Sequence, residues 1–531
     1  HHRHGGRDPG KLVEFVQGNH IGEIQHVDLL DPVEANRQIL EDLAGGASGL
    51  ELVFGTSMIA GLGQGLQVDC IEDMAKLLDG VYLDLVKLRL SGGYVSHAFL
   101  AMILTHMEKT GQDISSLDVN LGSDPVSVLA GLGKLNLPFD ELWRRADDTI
   151  LSLHRSHVKS CFYAADGRIW HNGGASQAEE LACVMASCLT YLRAFAEGPV
   201  PYDLWSQQMS VVLAAEADQV GTIAKARAAR RLWACILDAC GLEQTPLSLH
   251  MQTSYRMLAN KDPWVNLLRN TVAAFAAGVG GADSLTVLPH TKSIGLPDAF
   301  ARRLARNTQS ILLEESNLHM VADPSAGSGA IEARTEALTN QAWDILQSLE
   351  AEGGIIEALK NGKLQERIAA TRSARDLNVA RRKRPITGVS EYPLLSEKPV
   401  SVVPAHQDDI EGLAAPMDIC PPGKGERYDA IRKGFADGQP LASLLPHGLS
   451  PTPGVTAQAL KSARLSEPFE ALREKAEALP GGNPEIFLAC LGPLAQFTAR
   501  ASWAANAFAA GGLATCGGEP ADSLDDVIDA F

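Results

Sequence analysis

Short apolar runs alternate with longer stretches of helical period along the first two thirds of the chain, a pattern that argues for repeated β-α units around a parallel sheet. Eight strands are expected, over 49–54, 86–91, 117–121, 158–164, 209–215, 247–253, 284–288 and 320–322. The segments between them carry one apolar face. Over 223–240, for instance, Ala229, Leu232, Trp233, Ile236 and Leu237 share a stripe while Arg227, Arg230 and Arg231 lie largely off it. Eight strand-helix units over roughly 340 residues suggest a TIM barrel; an open doubly wound sheet has the same local pattern and is the alternative. The barrel is expected to occupy 31–384, after an N-terminal extension over 1–30.

From 385 to 482 the period fades while proline, glycine and serine cluster, as in Pro416, Pro421-Pro422-Gly423 and Pro446-His447-Gly448 through Pro453-Gly454, which reads as an interdomain linker with short helices. A strand over 485–491, a helix over 495–510, the glycines Gly511 and Gly512 as a helix end and a second strand over 513–516 then open another α/β domain, 483–531. Two strands with one crossover cannot cover both faces of a parallel sheet, so this domain is expected to be partial. The start, His1-His2-Arg3-His4 with no methionine, also reads as processed or incomplete.

At 531 residues, with 45% hydrophobic and 21% charged positions, the chain has the composition of a folded protein with a large core. Its net charge of −18 repels polyanions, so nucleic acid is not an expected partner. The basic run Arg381–Arg384 reads as solvated linker. No apolar stretch is long enough for a membrane helix and no signal segment opens the chain, so a cytoplasmic protein is expected. The cysteines show no C-x-x-C spacing and sit largely in apolar surroundings, such as Trp233-Ala234-Cys235; reduced packing thiols are expected and no metal site.

Generic motifs for phosphate loops, nucleophile elbows, zinc helices and calcium loops are missing from the sequence. The run Gly61-Leu62-Gly63-Gln64-Gly65 lacks dinucleotide spacing and reads as a loop over the barrel mouth. Ligand chemistry in a barrel sits at the carboxyl ends of the strands, which singles out two places. The first is His171-Asn172 in the glycine-rich loop Trp170–Ala175. The second is the run His250-Met251-Gln252-Thr253-Ser254, where strand alternation places His250, Gln252 and Ser254 on one face. For each, ligand contact and a satisfied interior network are both open. The turn Asp323-Pro324-Ser325-Ala326-Gly327-Ser328 offers backbone amides to an anion, and the helical Arg306-Asn307-Thr308-Gln309 is expected to tie helix to barrel.

The segment from His250 to Gly354 resembles the adenosylcobalamin-dependent acyl-CoA mutases, the methylmalonyl-CoA mutase family. The resemblance rests on Gln252-Thr253-Ser254, Asp262-Pro263, Asn266 to Asn270, Leu296-Pro297, Phe300-Ala301-Arg302, Arg306-Asn307-Thr308-Gln309, Glu314-Glu315-Ser316, Asp323-Pro324-Ser325-Ala326-Gly327-Ser328 and Gly353-Gly354. Weaker similarity runs from about 31 to 388. The resemblance implies a TIM barrel that threads an acyl-CoA along its axis, followed by a flavodoxin-like domain for the corrinoid. It implies a radical carbon-skeleton rearrangement that interconverts methylmalonyl-CoA and succinyl-CoA.

Departures from the family pattern qualify these implications. Members that bind cobalamin carry Asp-x-His-x-x-Gly after the first strand of the second domain, and here Leu494 and Gln496 stand at the Asp and His places. Aligned on Gly174-Ala175, Arg168 and Ile169 replace the Tyr-His of the catalytic barrel loop, and Ser248 replaces an arginine that contacts CoA. These losses resemble the small subunit of the heterodimeric bacterial enzymes. The expectation is therefore a subunit with no intact catalytic residue, packed against a catalytic partner chain that holds the adenosylcobalamin, with acyl-CoA binding in its own barrel doubtful. The alternative is a self-sufficient mutase acting on another acyl-CoA.

Overall fold

The computed structural model describes residues 21–57, 59, 65–403, 422–444 and 454–531. His1–His4, Gly61–Gln64, Pro416, Cys420, Pro421 and Pro446–Pro453 lie outside the described residues. Eight parallel strands close into a barrel: β1 (Gly22–Val27), β2 (Gly49–Val53), β3 (Lys87–Ser91), β4 (Asp118–Ser123), β5 (Lys159–Asp166), β6 (Met209–Ala215), β7 (Ser248–Thr253) and β8 (Ser284–Thr286). The seam is sealed by Gly22 opposite Ser284 and Glu23 opposite Leu285. Helices cover the outside of every strand, which explains runs such as Met-Ser-Val-Val-Leu-Ala-Ala in β6, buried throughout.

Acidic caps set where several helices begin. Asp124 and Asp218, just past β4 and β6, accept the backbone N–H groups of Ser127 and Gly221, and Ser176 with Glu179 forms a capping box. The β4–β5 pairing shifts register between Asn120 and Ser123. Gly122 turns there at φ +60°, where a Cβ would lie 2.0 Å from the Leu90 carbonyl oxygen, so only glycine fits the kink.

Two strand assignments change. The stretch over 320–322 is no strand: Leu318–Met320 forms a single 3-10 turn, and Met320 and Val321 are exposed. The missing strand is β1, inside the stretch expected as an extension. Its sequence Gly-Glu-Ile-Gln-His-Val is wholly buried yet half polar: His26 meets Glu51 in the barrel interior, and Glu23 meets Ser310 of the covering helix Ala299–Ser310. Each later strand is therefore one place further round than its apolar run suggests, and His250 lies on the seventh.

Residues 422–436 are not loose linker. Tyr428, Ile431 and Phe435 of the helix Glu426–Ala436 join the main hydrophobic core. Asp148, on the barrel helix Phe139–Arg155, accepts the backbone N–H groups of Gly423, Gly425 and Tyr428 at 2.7, 2.9 and 2.8 Å. The basic run is partly tied down too, with Arg382 on Glu391 at 2.7 Å. Beyond it, β9 (Glu485–Leu488) and β10 (Ala514–Gly517) pair in parallel through the helix Leu494–Ala510. Cys183, Cys188 and Cys490 are buried thiols, but Cys235 and Cys240 are exposed, because both fall on the outer face of the helix Gln219–Ala239 and its end.

Asp147, next to Asp148, has no hydrogen-bond or ionic partner among the described residues, and burial pushes its carboxyl up to about 7. A raised carboxyl favours the folded state below the unfolded value near 4, and that stability is lost as pH rises through 7. Asp147→Asn is thus expected to match the parent near pH 4 and exceed it by about 2 kcal/mol at pH 8, allowing for partial solvent screening. Urea midpoints at the two pH values check this; equal gains at both would refute it.

Candidate functional site

The barrel axis holds two chambers of ≈ 590 Å³ each. The upper one, at the carboxyl ends of the strands, is lined by His26, Ile169, Asn172, Gln252, Tyr255 and Leu460 among others. The lower one opens at the opposite end beside Lys87, Arg89, Asn120, Lys159 and Ser248. Between them lies a plug of charged and polar side chains, at a level where barrels usually stack branched apolar residues.

Arg168 is the centre of the plug. Its Nη1 donates to Glu51 of β2 at 3.1 Å and to the Gln252 side-chain oxygen of β7 at 2.6 Å. Nε and Nη2 donate to Asp166, at the end of β5, at 2.9 and 2.7 Å. The guanidinium thus crosses the axis. Glu51 also meets His26 at 2.9 Å and lies 3.9 Å from His250, whose Nδ1 bonds Ser284 at 2.8 Å. Burial alone would raise the Glu51 carboxyl, but Arg168 and His26 hold it well below the usual carboxylate range. Burial and the neighbouring Arg89 keep His250 neutral, its pKa well below the ordinary histidine value. Arg89 is buried with no hydrogen bond to its Nε.

A second buried chain runs behind the barrel rim. The first part of the glycine-rich loop expected over Trp170–Ala175 belongs instead to a short helix, Gly167–Gly173, capped by Asp166, which turns His171 inward to complete burial. Its Nε2 lies 2.7 Å from the Ser254 hydroxyl and its Nδ1 3.3 Å from Glu180, which also takes Lys225 at 2.7 Å. Burial, with the nearby Arg256 guanidinium, pushes the imidazole down to about 4. This is the connectivity of a serine-histidine-carboxylate triad. Ser254 is only 1% exposed and lines neither chamber, so no substrate carbonyl reaches its oxygen and the chain serves structure.

The sequence-derived residues therefore divide. Gln252 and His250 belong to the plug, while Ser254, just past the end of β7, leaves their face and pairs with His171. Ile169 and Asn172 face the upper chamber; Ile169 brings a hydrocarbon wall with no proton to donate. In the anion-turn candidate, the Gly327 amide is taken by Glu332 at 3.3 Å and the Asp323 carboxylate by Arg227 at 3.0 Å, leaving no open cradle. Arg306 ties its helix to the neighbouring helix Pro32–Ala44 and not to a barrel strand, through Asp42 at 2.8 Å. Sequence reasoning missed Glu51, Arg89 and His26. A charged residue inside the apolar run Leu50–Phe54 was the available signal for Glu51.

On the second domain, Leu494 and Gln496 lie exposed in the first turn of the helix Leu494–Ala510. Neither side chain supplies the imidazole nitrogen a lower cobalt ligand requires, and no histidine follows His447 in the sequence. Among the described residues no group of three or more histidine, cysteine or acidic side chains could hold a metal ion. No described helix is long and apolar enough to cross a membrane.

The chain is 38% identical over 490 residues, 91% of its length and 69% of the relative's, to a methylmalonyl-CoA mutase small subunit of Streptomyces virginiae. It is 33% identical over 90% of its length, and 68% of the relative's, to a probable small subunit of Mycobacterium bovis. Similarity to a protein named methylmalonyl-CoA mutase from Cereibacter sphaeroides, 29% identical, covers 66% of this chain and 49% of that one. With the methylmalonyl-CoA mutase family matching residues 24–414 around this closed barrel, the chain belongs to that family.

Proposed function

We propose that this chain is the non-catalytic small subunit of an adenosylcobalamin-dependent methylmalonyl-CoA mutase, acting by packing against and stabilising a catalytic partner that holds the corrinoid. The observation that carries the reading is the Arg168–Glu51–Gln252 plug. A thioester threaded along the axis needs that space, and opening it strands buried charges. Two further features support it. Ile169 stands where the family polarises a carbonyl, and Leu494 and Gln496 stand where it ligates cobalt. The relatives named small subunit match over nine tenths of this chain, against two thirds for the protein named methylmalonyl-CoA mutase.

Adenosylcobalamin titrated into the purified chain is expected to leave the corrinoid spectrum unchanged. Methylmalonyl-CoA turnover is expected only after addition of a chain bearing Asp-x-His-x-x-Gly, with the two co-eluting. A histidine-ligated corrinoid spectrum, or turnover by this chain alone, overturns the proposal in favour of the self-sufficient mutase.

A further inference from the structure

Five arginines converge where the segment 457–466, which runs into the helix Glu467–Glu477, crosses the barrel rim: Arg256, Arg372, Arg375, Arg384 and Arg464. Four of them line or enter a cleft of ≈ 50 Å³ whose wall also includes Asn172 and Asp376; Arg384 lies at its edge, within electrostatic reach of Arg375. Their carboxylate partners are unevenly shared. Arg464 is matched by Glu470 at 2.7 Å and lies 3.6 Å from Glu467, which also walls the cleft, and Arg256 is matched by Glu216 at 2.8 Å. Among the described residues, Arg384 reaches only the same Glu216, at 4.0 Å, and Arg372 only Asp376, at 3.6 Å. Arg375 has no carboxylate in contact among the described residues: its two Nη groups donate to the carbonyl oxygens of Gly174 and Ala175 at 2.9 and 3.0 Å.

A guanidinium largely withdrawn from water, with carbonyl dipoles in contact and the carboxylates Glu216 and Asp376 acting only from further off, is costly. Burial and then Arg256 lower the Arg375 pKa to about 10, with Arg384 adding to the effect. Arg256, 3% exposed, also leaves its Nε without a partner. The cluster exists because Gly174 has no side chain: a Cβ there would lie 2.7 Å from the Arg372 Cβ. Planar forks from two sides of a small cleft, one cation in excess, match the geometry of oxyanion recognition.

The geometry points to a binding site for an inorganic oxyanion of phosphate size, held by Arg372, Arg375 and Arg256 beneath the segment 457–466. The anion supplies the counter-charge that Arg375 lacks and joins three pieces of chain: the helix Lys363–Ala380, the rim at Gly174 and the crossing segment. The site is separate from the barrel plug and does not depend on the subunit reading.

The test titrates the full chain with inorganic phosphate at constant ionic strength, chloride replacing it in the control, by calorimetry and thermal shift. Arg372→Gln, a partly exposed substitution that removes one fork, is compared with Arg303→Gln on an exposed position elsewhere. Saturable binding that phosphate gives and chloride does not is expected. It should weaken about tenfold or more in Arg372→Gln and stay unchanged in Arg303→Gln, in line with one charge-assisted hydrogen-bond pair. Absence of saturable binding, or equal weakening in both variants, overturns the site. ADP binding without phosphate binding also overturns it, because the cleft has no room for a nucleoside. A circular dichroism spectrum of Arg372→Gln matching the parent keeps the comparison meaningful.

Discussion

Arg168→Ala is expected to lower the unfolding free energy by about 3–5 kcal/mol, the range for removing one partner of a buried ion pair. The guanidinium is only 6% exposed and serves Glu51, at 2%, so its loss leaves a carboxylate in the barrel interior facing His26, His250 and the buried Arg89. Glu51 is then expected to take up a proton, since its depressed pKa depends on Arg168. In the parent, Glu51 contributes stability at pH values above its unfolded value, lost as pH falls toward its folded one. The variant should lose much of this acid-side slope. Denaturant midpoints from about pH 2.5 to about pH 7, a range that runs below the unfolded carboxyl value near 4, test both parts. A loss under about 1 kcal/mol with an unchanged pH profile would show that water fills the gap and that the plug is not held by charge.

The second large effect is expected at Lys225. Its ammonium and the Glu180 carboxylate are both completely buried, 2.7 Å apart, and Glu180 also accepts the Ala214 amide at 2.8 Å. Lys225→Met keeps the stem volume but strands the carboxylate, at about 3–5 kcal/mol. Adding Glu180→Gln removes the stranded charge while an amide oxygen still accepts from Ala214. The double variant should regain at least half of the loss, and a thermal-melt double-mutant cycle measures it. If the double variant is less stable than Lys225→Met alone, the pair's attraction does not dominate there, and the His171 contact does.

Much of this was legible in the sequence. Seven of the eight strands declare themselves as apolar runs, since parallel strands are covered on the outside by helices. β1 escapes the pattern because its residues Glu23, Gln25 and His26 are buried polar groups, which no periodicity separates from a surface strand. The strand expected over 320–322 is the converse, three residues whose side chains face water. The substitutions at Ile169, Leu494 and Gln496 could be read by aligning motifs. The plug could not, because Glu51 and Arg168 are 117 residues apart and their pairing depends on barrel closure. His171 and Ser254 were both singled out, but their mutual contact arises only because Gly167–Gly173 coils into a helix.

The clasp of Asp148 on the amides of Gly423, Gly425 and Tyr428 bears on the order in which the molecule assembles. Its two sides are separated by 275 to 280 residues, so the helix with Tyr428, Ile431 and Phe435 docks after a long loop has closed, a slow kind of event. During synthesis the barrel helices that receive it stand uncovered, with an apolar groove open to chaperones, until the ribosome has released residue 436 and beyond.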